Sequence, residues 1–170
     1  VITTRFPADD SSQGFERGLT VSKAWDEATT RGAFEVANQV VKRLDRFAGT
    51  RADDTARAQK LEAFAGKFVT AAFRRPLSAD ETQRHVADVF KSASDQETAV
   101  RRVVLFALKS PQFLYTEIPG ARPDAARVAA RLSLGLWDSL PDEPLAQAAA
   151  AGGLRTRAEV AAEATRMLGD

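Results

Sequence analysis

Between residues 54 and 74, Leu61, Phe64, Ala65, Phe68, Val69 and Ala72 follow an i, i+3, i+4, i+7 rhythm. That rhythm lines them along one stripe of a helix and would scatter them over both faces of a strand. The segment therefore buries its apolar groups as an amphipathic helix packed on other helices. Pro76 closes it, because proline lacks the amide hydrogen and its ring clashes with the preceding turn. Residues 22–47 repeat the pattern with Trp25, Ala28, Ala33, Val36, Ala37, Val40, Leu44 and Phe47. Lys42, Arg43 and Arg46 crowd the end of that helix, where cations oppose its dipole, and Gly49 stops it. Asp53 or Asp54 is placed to cap the helix that follows.

Ser78 and Glu81 form a capping box that starts a further helix with Val86, Val89 and Phe90 inward. Asp95 caps the next, in which Val100, Val103, Val104, Ala107 and Leu108 point one way while Leu105 and Phe106 widen the apolar surface. A helix so apolar belongs at the centre of a bundle. Residues 1–20 are polar and broken by Pro7, Gly14 and Gly18, which predicts an extended arm packed onto helices through sparse aromatics such as Phe6.

Residues 110–145 hold the chain's least ordinary chemistry. Pro111 forces a turn, Phe113, Leu114 and Tyr115 make a short apolar cluster, and Glu117 precedes the breakers Pro119, Gly120 and Pro123. A helix resumes at Asp124 with Val128, Ala129, Leu132, Leu136 and Trp137 on one face and ends before Pro141. A short alanine-rich helix runs from Pro144 to Ala151 and ends at Gly152-Gly153, and Thr156 with Glu159 caps the last one, which turns Val160, Ala161, Ala164 and Met167 inward. No stretch alternates as a strand does. The expected fold is all-α: an irregular helical bundle of about six or seven helices in two packed subdomains. Its expected units are an N-terminal arm and first helix over 1–50, a central helical domain over 51–120 and a C-terminal helical segment over 121–170.

Lys and Arg number 24 against 23 Asp and Glu, a net charge of +1 with both signs spread throughout. A nucleic-acid partner calls for a one-sided basic patch and is not expected. Membrane insertion is not expected either, since no apolar run approaches the ~20 residues of a spanning helix. With no cysteine in the chain, thiolate zinc, iron–sulfur and thiol catalysis are excluded within it. Oligomeric state is open at this level.

Arg74 and Arg75 are the leading site candidates, because guanidinium forks grip carboxylate or phosphate bidentately. The competing reading is structural: one arginine caps its helix's carbonyls and the other pairs with Glu117, Asp138 or Asp142. Tyr115 and Trp137 could stack a ring, or anchor helix junctions. Glu117 and Asp142 could form an acid/base couple, but Asp142 reads more simply as a helix N-cap. His85 has no second histidine at metal-binding spacing, Asp9 and Asp10 lack the rest of a calcium loop, and no serine sits in a nucleophile motif. The expectation is therefore no catalytic residue and no metal ligand, with Arg74, Arg75, Tyr115, Glu117, Trp137 and Asp142 as ligand or ion-pair candidates.

Three segments carry a family resemblance. FPADDSSQGFERGLTVSKAW resembles the end of domain of unknown function 1587, and FAGKFVTAAFRRPLSADE through LKSPQFLYTE resembles domain 1595. RVAARLSLGLWDSLPDEPLAQAAAAGGL and TRMLGD resemble the start of domain 1592. These domains occur together in planctomycete and myxobacterial cytochrome-associated proteins. The chain departs from their pattern at Leu134-Gly135, where an aromatic pair is usual, and at Gln112 and Thr116, where arginine is common. The resemblance implies a piece of a larger, extracytoplasmic (periplasmic or secreted) protein, with the other domains of that protein as partners. It places any c-type haem on a further domain and no cofactor in this chain. The function it implies is a non-catalytic structural or interaction module of an electron-transfer-associated protein. The alternative is part of an oxidoreductase or hydrolase whose reactive groups lie mainly on other domains.

Overall fold

The computed structural model describes residues 2–7, 23–115 and 124–169, and every regular element among them is helical. In chain order these are α1 (Lys23–Lys42), α2 (Leu44–Ala48), α3 (Arg57–Phe73), α4 (Ala79–Thr82), a π-helical turn (Gln83–Ala87), α5 (Asp88–Ser92), α6 (Gln96–Lys109), α7 (Pro111–Leu114), α8 (Ala125–Trp137), α9 (Glu143–Ala150) and α10 (Arg157–Gly169). The all-α fold read from the sequence is the fold observed. Among the described residues no helix is long and apolar enough to cross a membrane.

α6 is the central element. Ala99, Val100, Val103, Val104 and Ala107 are all buried, on a face that α1 and α3 cover. On one side Val100 and Val104 meet Ala37, Val40 and Leu44 of α1 and α2 and Leu61 of α3. On the other, Val103 and Ala107 meet Ala65, Val69, Ala72 and Phe73 of α3 together with Val86 and Val89. Phe68 and Phe90 pack, half-buried, against both clusters and join them. Lys109 Nζ lies 2.7 Å from Asp26 Oδ1, tying the C-terminus of α6 to the N-terminus of α1, so the two helices run antiparallel.

Local chemistry sets the ends of the elements. Asp95 accepts from the Thr98 amide at the start of α6, and Ser110 accepts from the Gln112 amide at the start of α7, where Pro111 takes the first helical position. The cluster after Pro111 is thus one helical turn. α3 starts at Arg57, later than the rhythm predicts, because Asp54 is spent on the preceding turn. Its carboxylate accepts from the Ala56 amide at 2.8 Å, the Thr50 hydroxyl at 3.1 Å and Lys60 Nζ at 2.7 Å, and the Lys60 bond foremost holds its pKa down at about 2. The N-terminal arm, described over 2–7, lies on α1: the Thr3 and Thr4 amides donate to the Glu35 carboxylate at 2.6 and 3.0 Å, and the Phe6 ring covers Gly32.

The C-terminal helices close around a smaller core of Ala129, Leu145, Leu154 and Met167. Gly152 (φ +80°) and Leu154 (φ 62°) both take the left-handed backbone between α9 and α10; Leu154 bears the strain because its side chain is buried in that core.

Some residues expected inside are outside. The helix predicted over 22–47 breaks at Arg43, and Phe47 on α2 is half exposed with one ring face stacked on Phe64 at 6.1 Å. Phe106, Leu136 and Ala161 also face outward, since each lies beyond the narrow arc that its helix buries. Replacing Leu61, fully buried between α1, α3 and α6, with alanine is expected to cost about 2–5 kcal/mol, whereas Phe106→Ala should stay within about 0.5 kcal/mol. Urea melts of the two variants check the contrast, and equal losses would displace α6 from the centre.

Candidate functional site at the Arg74–Arg75 junction

α3 ends where Arg74 adopts the left-handed backbone (φ 57°), its amide donating to the Ala71 and Thr70 carbonyls. This turn carries its guanidinium to α7, where Nη2 donates to the Gln112 carbonyl at 2.7 Å and to the Tyr115 carbonyl at 3.4 Å, and Nη1 donates to the Phe113 carbonyl at 3.3 Å. A four-residue helix leaves these carbonyls without intrahelical partners, and Arg74 supplies the missing donors. Burial draws the arginine's pKa down from its ordinary value, yet a guanidinium keeps its proton in this setting.

Arg75 forms a fork with Glu81, Nη2 to Oε1 at 2.5 Å and Nη1 to Oε2 at 2.9 Å, and Nη2 also reaches Gln112 Oε1 at 2.6 Å. Glu81 Oε2 simultaneously accepts from the Ser78 amide at 3.0 Å, while the Glu81 amide donates to Ser78 Oγ at 3.2 Å. One carboxylate thus closes the capping box of α4 and grips the end of α3. The Arg75 hydrogen bonds hold the Glu81 carboxyl well below the usual carboxylate range against the opposing effect of burial, and the same bonds raise Arg75.

The ion partner of Arg75 is therefore Glu81, in place of the predicted Asp138 or Asp142; Glu117, the third predicted partner, lies outside the described residues, as do Pro119, Gly120, Pro123, Asp9 and Asp10. Asp138 takes the left-handed C-cap of α8 (φ 49°). Asp142 caps α9, its Oδ1 accepting from the Leu145 amide at 3.0 Å, and pairs through both oxygens with Arg166 at 2.8 and 3.1 Å. Those Arg166 bonds foremost lower its pKa. Trp137 is half-buried and donates from Nε1 to the Met167 carbonyl at 2.9 Å, which fastens α8 to α10. Tyr115 is exposed, its ring 6.0 Å from that of Trp25. His85 sets its ring edge-on to Phe73 at 5.4 Å.

The candidates do not converge. Arg74, Arg75 and Tyr115 share a cavity of about 30 Å³ with Gln112 and Arg127, room for about one water molecule. Trp137 and Asp142 belong to a separate arrangement on α8–α10, and neither lines that cavity. Alongside Arg74 and Arg75 an open groove of about 1150 Å³ separates the end of α3 from α8 and α9. Among the described residues no group of three or more His, Asp or Glu side chains is placed to hold a metal ion. Sequence reasoning missed Gln112 and Arg166 as partners. It read Glu81 only as a cap, although the turn that Pro76 imposes brings position 81 back to position 75.

Glu81→Gln is expected to cost about 1–3 kcal/mol at pH 7, because it leaves a half-buried guanidinium short of its anion. The folded-state pKa of Glu81 lies below its ordinary 4.5, so the stabilisation is complete above about pH 4.5 and is lost as pH falls through the folded value. Denaturant melts from pH 7 down to pH 3 should show the gap between wild type and variant narrowing in acid, and a constant gap would remove the charged bond from the account.

Comparison with known families agrees with this division of the chain into two arrangements. Residues 60–117 match a family described as PSD5, protein of unknown function (DUF1595), and residues 124–170 match one described as PSD4, protein of unknown function (DUF1592). No curated protein and no solved structure matches the chain. The Arg74–Arg75–Glu81 junction and α7 fall within the first match, and α8–α10 within the second, so the chain carries parts similar to two domains of unknown function in tandem.

Proposed function

We propose that the chain is a non-catalytic structural and interaction module of a larger protein, and that its C-terminal helices dock against other domains of that protein. The observation that carries this reading is the exposure of Leu136 on α8, Leu140 between α8 and α9, and Leu168 on α10, 40, 47 and 73% accessible. Leu136 and Leu168 each adjoin in sequence one partner of the Trp137–Met167 hydrogen bond, which fastens α8 to α10. Large apolar side chains exposed on helices fastened in this way suit a protein contact. The core beneath them is small, which gives a neighbouring domain a share in stabilising these helices.

The chemistry of the arginine pair supports the same reading. Both guanidinium groups are engaged by the chain's own carbonyls and by Glu81, so an anionic substrate would have to displace them. The wider setting of the proposal, an extracytoplasmic and electron-transfer-associated protein, rests on the resemblance of the RRPLS, SPQFLY and RLSLGLW segments. Any c-type haem of that protein belongs on another domain, as this chain has no cysteine to attach it.

The test is site-specific photo-crosslinking in the full reading frame that contains these residues, with the reactive side chain placed at position 168 and, separately, at 136. Crosslinks to the same protein outside this stretch are expected from both positions. Capture of solvent alone, or crosslinks confined to α8–α10, would overturn the proposal.

A further inference from the structure

The segment in front of α1 is held in place by a single side chain. Residues 2–7 lie outside every regular element, so their backbone amides have no helix or sheet to join. Glu35 meets two of them. Its Oε1 accepts from the Thr3 amide at 2.6 Å and the Thr3 hydroxyl at 3.1 Å, and its Oε2 accepts from the Thr4 amide and the Thr4 hydroxyl, both at 3.0 Å. A carboxylate offers about four acceptor sites, and the arm fills them. The Thr3 amide foremost lowers the Glu35 carboxyl from its ordinary value, so the acceptor is the charged form, whose hydrogen bonds are the stronger kind.

A second point of contact lies one turn away. Gly32, in the interior of α1, is three residues from Glu35 and shares its face. A Cβ at Gly32 would stand 3.5 Å from the Phe6 ring and, among the described residues, would meet no other side chain within 4 Å. Glycine weakens a helix interior, and here its missing side chain gives the ring its seat. Residue number rises along the arm from Thr3 to Phe6 while it falls along α1 from Glu35 to Gly32, so the arm runs antiparallel to the helix.

Burial adds little to this hold. Ile2, Thr3, Arg5, Phe6 and Pro7 are exposed, and none of the three buried clusters contains or packs against a residue of the arm. Detaching it therefore disturbs no core contact, and α1 keeps its packing on α6. A segment with exposed hydrogen bonds and few buried contacts opens far more often than a core does.

We infer that residues 3–6 are a releasable strap: Glu35 and Gly32 latch them along α1, and they leave and return while the bundle stays folded, baring or covering that face of α1. This conformational device is independent of the contacts proposed for α8–α10, and either can fail alone.

Amide hydrogen exchange followed by NMR on the 170-residue chain tests it. The Thr3 and Thr4 amides should exchange about tenfold or more slower than in a free peptide of residues 1–7, yet about a hundredfold or more faster than those of Val103 and Val104 in α6. Glu35→Ala should bring both arm amides to within about twofold of the free peptide and leave α6 unchanged. Gly32→Leu, which unseats the Phe6 ring, and Phe6→Ser, which removes it, should each move the arm amides in the same direction. Four outcomes overturn the inference: free-peptide exchange of Thr3 and Thr4 in the unaltered chain, exchange as slow as that of α6, protection that survives Glu35→Ala, or a Glu35→Ala chain that loses protection in α6 as well as in the arm. Arm protection that rises with protein concentration, together with a dimer in light scattering, would assign the latch to the arm of a second copy and overturn the strap within one chain.

Discussion

The buried face of α6 is the constraint from which the rest of the bundle follows. Val100, Val103 and Val104 are wholly inaccessible, and each contributes roughly 1.5–3 kcal/mol when removed from water. Because successive buried positions advance around the helix, Val100 and Val104 reach α1 while Val103 and Ala107 reach the later part of α3 and the π-helical turn. α3 has to lie along both clusters at once, and Phe68 and Phe90 fill the seam. β-branched side chains lose little rotamer freedom on burial, so this face also fixes the register between helices.

That packing delivers the end of α3 to the start of α7 and creates an electrostatic problem there. α7 is a single turn whose carbonyls lie against the protein, and α4 begins with amides that need acceptors. Arg74 and the Arg75–Glu81–Ser78 network answer both demands with side chains from one short sequence, RRPLSADE. Removing either Glu81 or Arg75 leaves a polar partner behind, so the network is costly to break even though replacing it wholesale with apolar groups could be neutral. Its half-buried guanidinium groups are engaged by the chain's own carbonyls, Gln112 and Glu81.

Helix identity was legible because apolar spacing and caps report on local geometry. Ser78 with Glu81, Asp95, Asp142 and Thr156 with Glu159 all cap helices as the sequence implies. Partner choice was less legible, because it depends on how the chain folds back at its breaks. Arg75 and Glu81, six apart, would not face each other on one helix, and only the turn at Pro76 brings them together. Asp142 and Arg166 meet solely because α10 returns along α8, for which adjacent sequence carries no sign. Phe47 and Phe106 were misplaced for a different reason: an aromatic near an apolar stripe reads as core, while the arc a helix buries is set by how many neighbours it has.

The two arrangements of the chain differ in how complete they are. Around α6 the exposed aromatics are scattered, as on an ordinary protein surface, although Arg57 Nε is buried there without a hydrogen-bond partner. Around α8, the Trp137–Met167 bond and the Asp142–Arg166 pair brace three helices over a core of four buried residues. Leu154 adds backbone strain to the same core. A scaffold braced this heavily by polar contacts, yet burying so little, holds its exposed leucines and its alanine-lined groove in fixed positions at small cost in apolar burial. Preorganised surfaces of that kind spend little ordering entropy when a partner docks.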